Sequence, residues 1–225
     1  MAQVRVMTYN ILRGGRRGDT PNRVVREARP DVLLVNEAPK TLFASHRRCR
    51  ALAEVWGLTF AGGARDAGSN ALMIGPRVEI ERVASRTFNT PAFRPRRGIF
   101  AAQLRIENSM LGIVGCHLSL ERAHRAEEVE AVIEAARTMR GVVVVAGDLN
   151  EPPTGPTWRR LRQVGFADHG SNDWPTFPAK DPVKRIDALL VRGEAVVLHH
   201  GDAGAPLGLQ AQASDHRAVL AVIQI

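Results

Sequence analysis

The stretch VVVVAGDLNEPP, Val142 to Pro153, decides the fold. Four successive valines and Ala146 are continuously apolar and mostly β-branched, which predicts a strand, Val142–Ala146, buried on both faces. The run closes on Asp148, Leu149 and Asn150, and Pro152 and Pro153, which cannot donate to a ladder, stop it. In extended backbone, residues two apart share a face, so Asp148 and Asn150 are expected to converge on one space. A turn in which the two side chains bond their own backbone explains the same letters.

Strand-like and helix-like segments alternate on either side of this stretch. Strands are predicted at Gln3–Tyr9, Val32–Glu37, Leu58–Ala61, Asn70–Ile74, Val78–Arg86, Ile99–Ile106, Met110–His117, Ile186–Val191, Glu194–His199 and Ala218–Ile223. Helices are predicted from Thr20, with Pro21 in the first turn, to Arg29, then over Leu42–Trp56, Glu121–Arg140 and Pro156–Val164. In the third of these, Glu121 and Arg125 stand one turn apart. No internal repeat, low-complexity tract or linker interrupts the sequence, so residues 1–225 are read as one domain. The strands are too many for one open sheet. Two sheets packed face to face with helices outside would bury the valine strand on both sides.

Hydrophobic residues make up 44% and aromatics only 5%, so aliphatic packing carries the core. No apolar run approaches the ~20 residues of a membrane span. The start MAQVRVMTYN has no basic region, apolar segment or cleavage site of a secretory signal. Cys49 and Cys116 are accordingly read as reduced thiols of a cytoplasmic protein. The net charge of +8 points to anionic partners. Lysine occurs only at positions 40, 180 and 184, so arginine supplies nearly all the positive charge, a bias that genome base composition also produces.

Other predicted strands end or begin in polar residues of the kinds phosphate chemistry uses: Asn10, Glu37, His117, Asp187, and Asp215 with His216. Each has an ordinary explanation: a turn residue, an arginine partner, a satisfied core histidine, a bridge from Asp187 to Arg185, a cap. These five, with the turn that explains Asp148 and Asn150, are together harder to accept than one shared site. The ordered set Asn10, Glu37, His117, Asp148–Asn150, Asp187 and Asp215–His216 resembles the endonuclease/exonuclease/phosphatase superfamily, and the match runs from residue 8 to residue 220.

That resemblance implies an α/β fold: a four-layer α/β sandwich of two mixed β-sheets packed face to face, with helices on the outside. It implies a divalent cation, Mg²⁺ or Mn²⁺, held by Glu37 with Asn10 and Asp215. Asp148 and Asn150 resemble the pair that orients the attacking water and binds a phosphate oxygen, and Asp187 resembles the carboxylate that holds His216. His117 matches the histidine of the sphingomyelinase-like and deoxyribonuclease-like branches, and it or a metal-bound water is expected to stabilise or protonate the leaving oxygen. Asn36 stands where the family usually has glutamine, and Asn70, where many bacterial members have a Gly-Asn pair, is included as a candidate substrate contact.

The activity so implied is hydrolysis of a phosphate ester, most simply a phosphodiesterase or nuclease acting on DNA or RNA by in-line water attack. The alternative is a phosphatase or phosphodiesterase for a small-molecule or lipid-headgroup phosphate, and a remote one is an inactive binding member. The arginines of RGGRR, from Arg13, and of RPRRG, including Arg97, are candidates to grip substrate at the rim; solvated loops explain them equally well. Trp174 and Phe177 lie in the loop before Asp187 and could contact substrate. A monomer without a membrane span is expected. Competing motifs fail: Ser214, Asp215 and His216 are consecutive and cannot converge as a triad, and there is no Walker loop, zinc spacing or EF-hand.

Overall fold

The protein is described here by a computed structural model that covers residues 1–13, 18–39, 41, 44–89, 95–170 and 174–225. Its strands are β1 (Gln3–Asn10), β2 (Val32–Asn36), β3 (Thr59–Ala64), β4 (Asn70–Ile74), β5 (Val78–Thr87), β6 (Gly98–Ile106), β7 (Ser109–His117), β8 (Val142–Asp148), β9 (Ala167–Asp168), β10 (Asp187–Arg192), β11 (Val196–Asp202) and β12 (Val219–Gln224). Its helices are α1 (Thr20–Ala28), α2 (Ser45–Val55), α3 (Arg122–Arg137), α4 (Pro156–Gln163) and α5 (Leu207–Ala213).

The strands form two six-stranded sheets, in the orders β11-β12-β1-β2-β4-β3 and β5-β6-β7-β8-β10-β9. Both are mixed: β1 runs parallel to β2 and β7 parallel to β8, and the other pairs are antiparallel. Three apolar layers hold them. Val4, Val6, Leu34 and Leu72 of the first sheet meet Phe100, Ile113, Val144 and Leu189 of the second. On the outer face of the first sheet, Met7, Tyr9, Leu33 and Val35 pack under α1, α2 and α5 through Val24, Cys49 and Leu209. On the outer face of the second, Val114, Val143 and Val145 pack under α3 and α4 through Val132, Ile133, Trp158 and Leu161. The layer order helices, sheet, sheet, helices is the expected sandwich.

The valine strand is buried throughout. Val142, Val144 and Ala146 face the other sheet, and Val143 and Val145 face the helices. Asp148 continues the first parity, so it points into the gap between the sheets where that gap ends. Asn10, Asn36, Asn70, His117 and Asp187 hold the same place at the ends of β1, β2, β4, β7 and β10, on the strand parity of the inter-sheet residues Val6, Leu34, Leu72, Ile113 and Leu189. One end of the inter-sheet layer is therefore polar by strand register.

Several boundaries differ from the sequence reading. The valine strand ends at Asp148, before the prolines, and β2 stops at Asn36, with Glu37 outside it at φ 53°. α3 is shorter than Glu121–Arg140, because Arg140 leaves the helix to pair its backbone N–H with Gln103 before Gly141 turns at φ 75°. β3 extends to Ala64 through a bulge, and β11 is shifted to Val196–Asp202. The short α5 and two-residue β9 were not foreseen; Gly208 lowers helix propensity in α5, and β9 exists only as a bridge to β10. Leu42 and Phe43, at the start of the second predicted helix, lie outside the described residues.

Gly147 has φ 140°, and a Cβ there would lie 1.8 Å from the Cys116 carbonyl oxygen on β7. Gly208 has no heavy atom within 4 Å of its would-be Cβ. Gly147→Ala is expected to cost about 3 kcal/mol or more by urea unfolding, from backbone strain and overpacking. Gly208→Ala, in a helix with open space, is expected to be neutral or to stabilise by up to about 1 kcal/mol.

Candidate active site

Asn36 is the amide that closes the polar end. Its Nδ2 donates to the Asn70 Oδ1 at 2.8 Å and to the Cys116 carbonyl at 2.9 Å, and its Oδ1 accepts from the Asp148 N–H at 3.0 Å. The first contact stays in the first sheet and the other two cross to the second. Asn70, 0% exposed, donates to the carbonyls of Ala67 and Gly98 at 2.8 and 2.7 Å. This corrects its reading as a substrate contact. Both its amide hydrogens are spent on backbone, and it holds β6 at the point where Arg97 enters.

Around Asp148 the side chains converge. Its Oδ2 lies 3.2 Å from Asn10 Nδ2, 3.2 Å from His117 Nε2 and 3.7 Å from His216 Nε2. His216 Nδ1 is 2.9 Å from Asp187 Oδ2, so the Asp187–His216 pairing that the resemblance implied is present. The bridge from Asp187 to Arg185 is not, because Arg185 pairs with Asp168. Phe177 packs its ring on His216 with centroids 4.8 Å apart, and the Thr176 Oγ1 accepts from the N–H groups of Ile186 and Asp187.

Asn150 reaches the site differently from the expected strand alternation. It lies beyond the strand at φ 51°, its N–H donates to Asp148 Oδ1 at 2.9 Å, and its Nδ2 donates to the Leu118 carbonyl at 2.8 Å. The Asx turn and the polar site coexist here, because the turn fixes the Asp148 carboxylate. Asp215 is half-buried, and its backbone carbonyl accepts from the Ala179 N–H.

A pocket of about 80 Å³ beside His117 is lined by Arg13, Glu37, Arg96 and Arg97 among others. Arg97 Nη1 lies 2.7 Å from His117 Nε2. Trp174 is not in this lining. It packs half-buried against the inter-sheet core with the Arg217 guanidinium 5.4 Å from its ring centroid. Residues 14–17 and 90–94, which hold most of the RGGRR stretch and Arg94 of RPRRG, lie outside the described residues.

The sequence reading missed a buried network behind His117 and Asn150. Arg125, expected to pair with Glu121, instead reaches Glu151 at 3.2 Å, and its Nη1 donates to the Ser119 and Leu120 carbonyls at 3.0 and 2.5 Å. Glu128 accepts from both the N–H and the hydroxyl of Ser119, and the second Glu151 oxygen accepts from the Thr157 N–H at 2.6 Å. Arg125, Glu128 and Glu151 are 8, 5 and 5% exposed. The available signal was Arg125 and Glu128, three apart on one helix face just after the His117 strand.

Charge follows geometry. Burial disfavours an ionised Asp148, but the charge and hydrogen bond of His117, the charge of His216 and the Asn150 N–H hold it below the usual carboxylate range. Burial also opposes an imidazolium at His216. Asp187, by charge and hydrogen bond, then Asp148 and Asp215, outweigh that and raise it to about 9.

Two donor sets suit a cation. Among the described residues nothing donates to the Glu37 carboxylate, and Asp187 Oδ1 is buried without a hydrogen-bond partner. Asp148, Asp187 and His216 offer ligand atoms within 4.8 Å of one another, but there the His216–Asp187 hydrogen bond competes with a metal. Oxygen donors of this kind fit a hard divalent ion.

The sequence profile of the Endonuclease/Exonuclease/phosphatase family matches residues 7–216, the span that carries every residue of this cluster. The chain belongs to that family. Its members are divalent-metal-dependent phosphoesterase hydrolases, and this chain is a phosphoesterase. No curated protein matches the sequence. A family protein from Bacteroides thetaiotaomicron has the same fold at a TM-score of 0.78, 16% identical, with 99% of this chain and 97% of that one covered. The mannosyl-6-phosphatase Bt3783 of the same species aligns at 0.76, 16% identical, over 99% and 100%. D. rerio TDP2, complexed with a single-strand DNA product, aligns at 0.71, 15% identical, over 100% of both chains. No helix of the described residues is long and apolar enough to cross a membrane.

Two outcomes are expected of this site. Arg125→Ala leaves the buried Glu151 carboxylate without its cation and should cost about 3–5 kcal/mol by urea unfolding, whereas Arg160→Ala, whose Glu130 partner is exposed, should leave the unfolding midpoint close to that of wild type. A folded-state pKa raised at His216 contributes stability that is complete below its unfolded value of about 6.5 and is lost as pH rises through the folded value. Metal-free protein should therefore lose stability between the ordinary histidine value of 6.5 and about 9. His216→Gln should lack that slope, and equal slopes in the two proteins would contradict the assignment.

Proposed function

We propose that this phosphoesterase is a phosphodiesterase that cleaves nucleic acid by in-line attack of water. The observation that carries the reading is the convergence on Asp148 of Asn10, His117 and His216 beside an arginine-lined pocket. Glu37, with Asn10 and Asp215, would hold Mg²⁺ or Mn²⁺. Bound there, the cation supplies neutralisation of charge on the phosphoryl oxygens.

The chain's own groups supply the rest. Asp148, kept ionised at neutral pH, accepts a hydrogen bond from water and orients it towards phosphorus, and Asn150 helps bind a phosphate oxygen. Asp187 keeps His216 in its charged form, so that its Nε2–H faces a phosphate oxygen as charge develops there. His117, on the other side of Asp148, serves the leaving oxygen. The reaction is read as that of a single-domain monomer. D. rerio TDP2, which shares the fold, is seen with a single-strand DNA product, which supports a nucleic-acid substrate. A second reading, a phosphatase for a small phosphorylated molecule, draws on the mannosyl-6-phosphatase of the same fold.

The test compares wild type, Glu37→Ala and Asp148→Asn on bis-p-nitrophenyl phosphate, p-nitrophenyl phosphate, plasmid DNA and a single-stranded oligonucleotide, with Mg²⁺, Mn²⁺ or EDTA. Metal-dependent DNA cleavage is expected, absent in Glu37→Ala, with kcat lowered roughly 10²–10⁴-fold in Asp148→Asn. Monoester turnover with intact DNA selects the small-molecule reading. An Asp148→Asn rate near that of wild type removes Asp148 from the reaction.

A further inference from the structure

We propose that the pocket beside His117 holds a second phosphate group of the substrate, one that is not cleaved, and that Arg97 grips it together with Arg13 and Arg96. The inference rests on the phosphoesterase reading and narrows its substrate to molecules carrying phosphates at neighbouring positions.

The first observation is unmatched charge. Some arginines elsewhere on the surface meet carboxylates: Arg77 meets Asp31, Arg105 and Arg140 meet Glu81, and Arg160 meets Glu130. Among the described residues, no carboxylate lies within ion-pair distance of Arg13, Arg96 or Arg97, although all line one pocket. Glu37 is the one carboxylate in that lining. Glu37 and a single diester phosphate bring two negative charges against the three arginines, and leave this lining with one positive charge unmatched. Arginine forks are suited to phosphate oxygens, and a pocket far below the roughly 300 Å³ of a whole-ligand site takes one group.

The second observation is a conflict at one atom. His117 Nε2 has the Arg97 guanidinium at 2.7 Å and the Asp148 carboxylate at 3.2 Å. A ring nitrogen can accept from the first or donate to the second, not both. An anion in the pocket would draw Arg97 onto itself and leave Nε2 free to donate to Asp148. The backbone from which Arg97 reaches is fixed. Asn70 holds the Gly98 carbonyl, and Gly68 leaves room that a Cβ would fill, 2.4 Å from the Arg97 carbonyl carbon. The guanidinium therefore swings from a fixed base.

The second phosphate can be the next one along a nucleic-acid strand or a neighbouring one on a small molecule. The experiment measures kcat/KM for p-nitrophenyl thymidine 5′-phosphate and for its 3′-phosphorylated form, with Mg²⁺, using wild type, Arg96→Gln and Arg97→Gln. Wild type is expected to prefer the doubly phosphorylated substrate at least about tenfold, about 1.4 kcal/mol, and the preference should fall towards unity in Arg97→Gln. In parallel, calorimetry follows orthophosphate and pyrophosphate binding to metal-free protein. Tighter pyrophosphate binding that Arg97→Gln abolishes, without a nucleotide preference, keeps the pocket and moves the second phosphate from a strand to a small molecule. A preference that survives both substitutions overturns the assignment to these arginines. Equal rates on the two substrates, with no difference between the two anions, overturn the pocket and leave the phosphoesterase reading standing. Absence of turnover on both substrates instead removes the phosphodiesterase reading, and the binding arm then decides the pocket by itself. Circular dichroism confirms that each variant is folded.

Discussion

Two sheets that bury aliphatic side chains against each other must end somewhere, and at that edge backbone groups lose their neighbours. Here the Asn36 carboxamide closes the edge by bonding Asn70, the Cys116 carbonyl and the Asp148 N–H. Buried polar groups persist only when paired, so this clamp lets strands from both sheets end on polar residues without an unsatisfied amide between them. The site depends on that closure. Asp148 receives one of its bonds, and Asn70 at its other end fixes the backbone that carries Arg97.

The second support is electrostatic and lies behind the site. Arg125 bonds the Ser119 and Leu120 carbonyls on one side and Glu151 on the other, tying the turn after His117 to the turn after Asp148. Asn150 bridges the same two turns through the Leu118 carbonyl. A buried arginine paired with a carboxylate stabilises little by itself, since desolvation offsets much of the attraction. Its effect is to leave the two turns one low-energy arrangement, which is what a site with fixed group positions requires.

Much of this could be read along the chain. The valine strand, the alternation in β1 and β7 and the terminators of α1 and α3 are local signals, and they located most elements within a few residues. The residues meeting around Asp148 were named because each closes an apolar strand. What failed had a tertiary cause. Asn70 has a side chain suited to ligands, but its partner, the Gly98 carbonyl, is distant in sequence. Arg125 was matched to the wrong glutamate because helix spacing sees only neighbours one turn away. Asn150 was placed by strand alternation, whereas a turn at positive φ delivers it.

By itself, the sequence determined the layer architecture and the chemistry gathered at one edge. Hydrophobic periodicity sets which faces are buried, and side chains of a given type keep their chemistry in any setting. Only the tertiary structure decided which glutamate holds Arg125, which arginines are matched by acids and which amide joins the sheets. Those outcomes depend on distances between residues remote in the chain. Hydrogen bonds and ion pairs act over a few ångströms, so no local pattern encodes them.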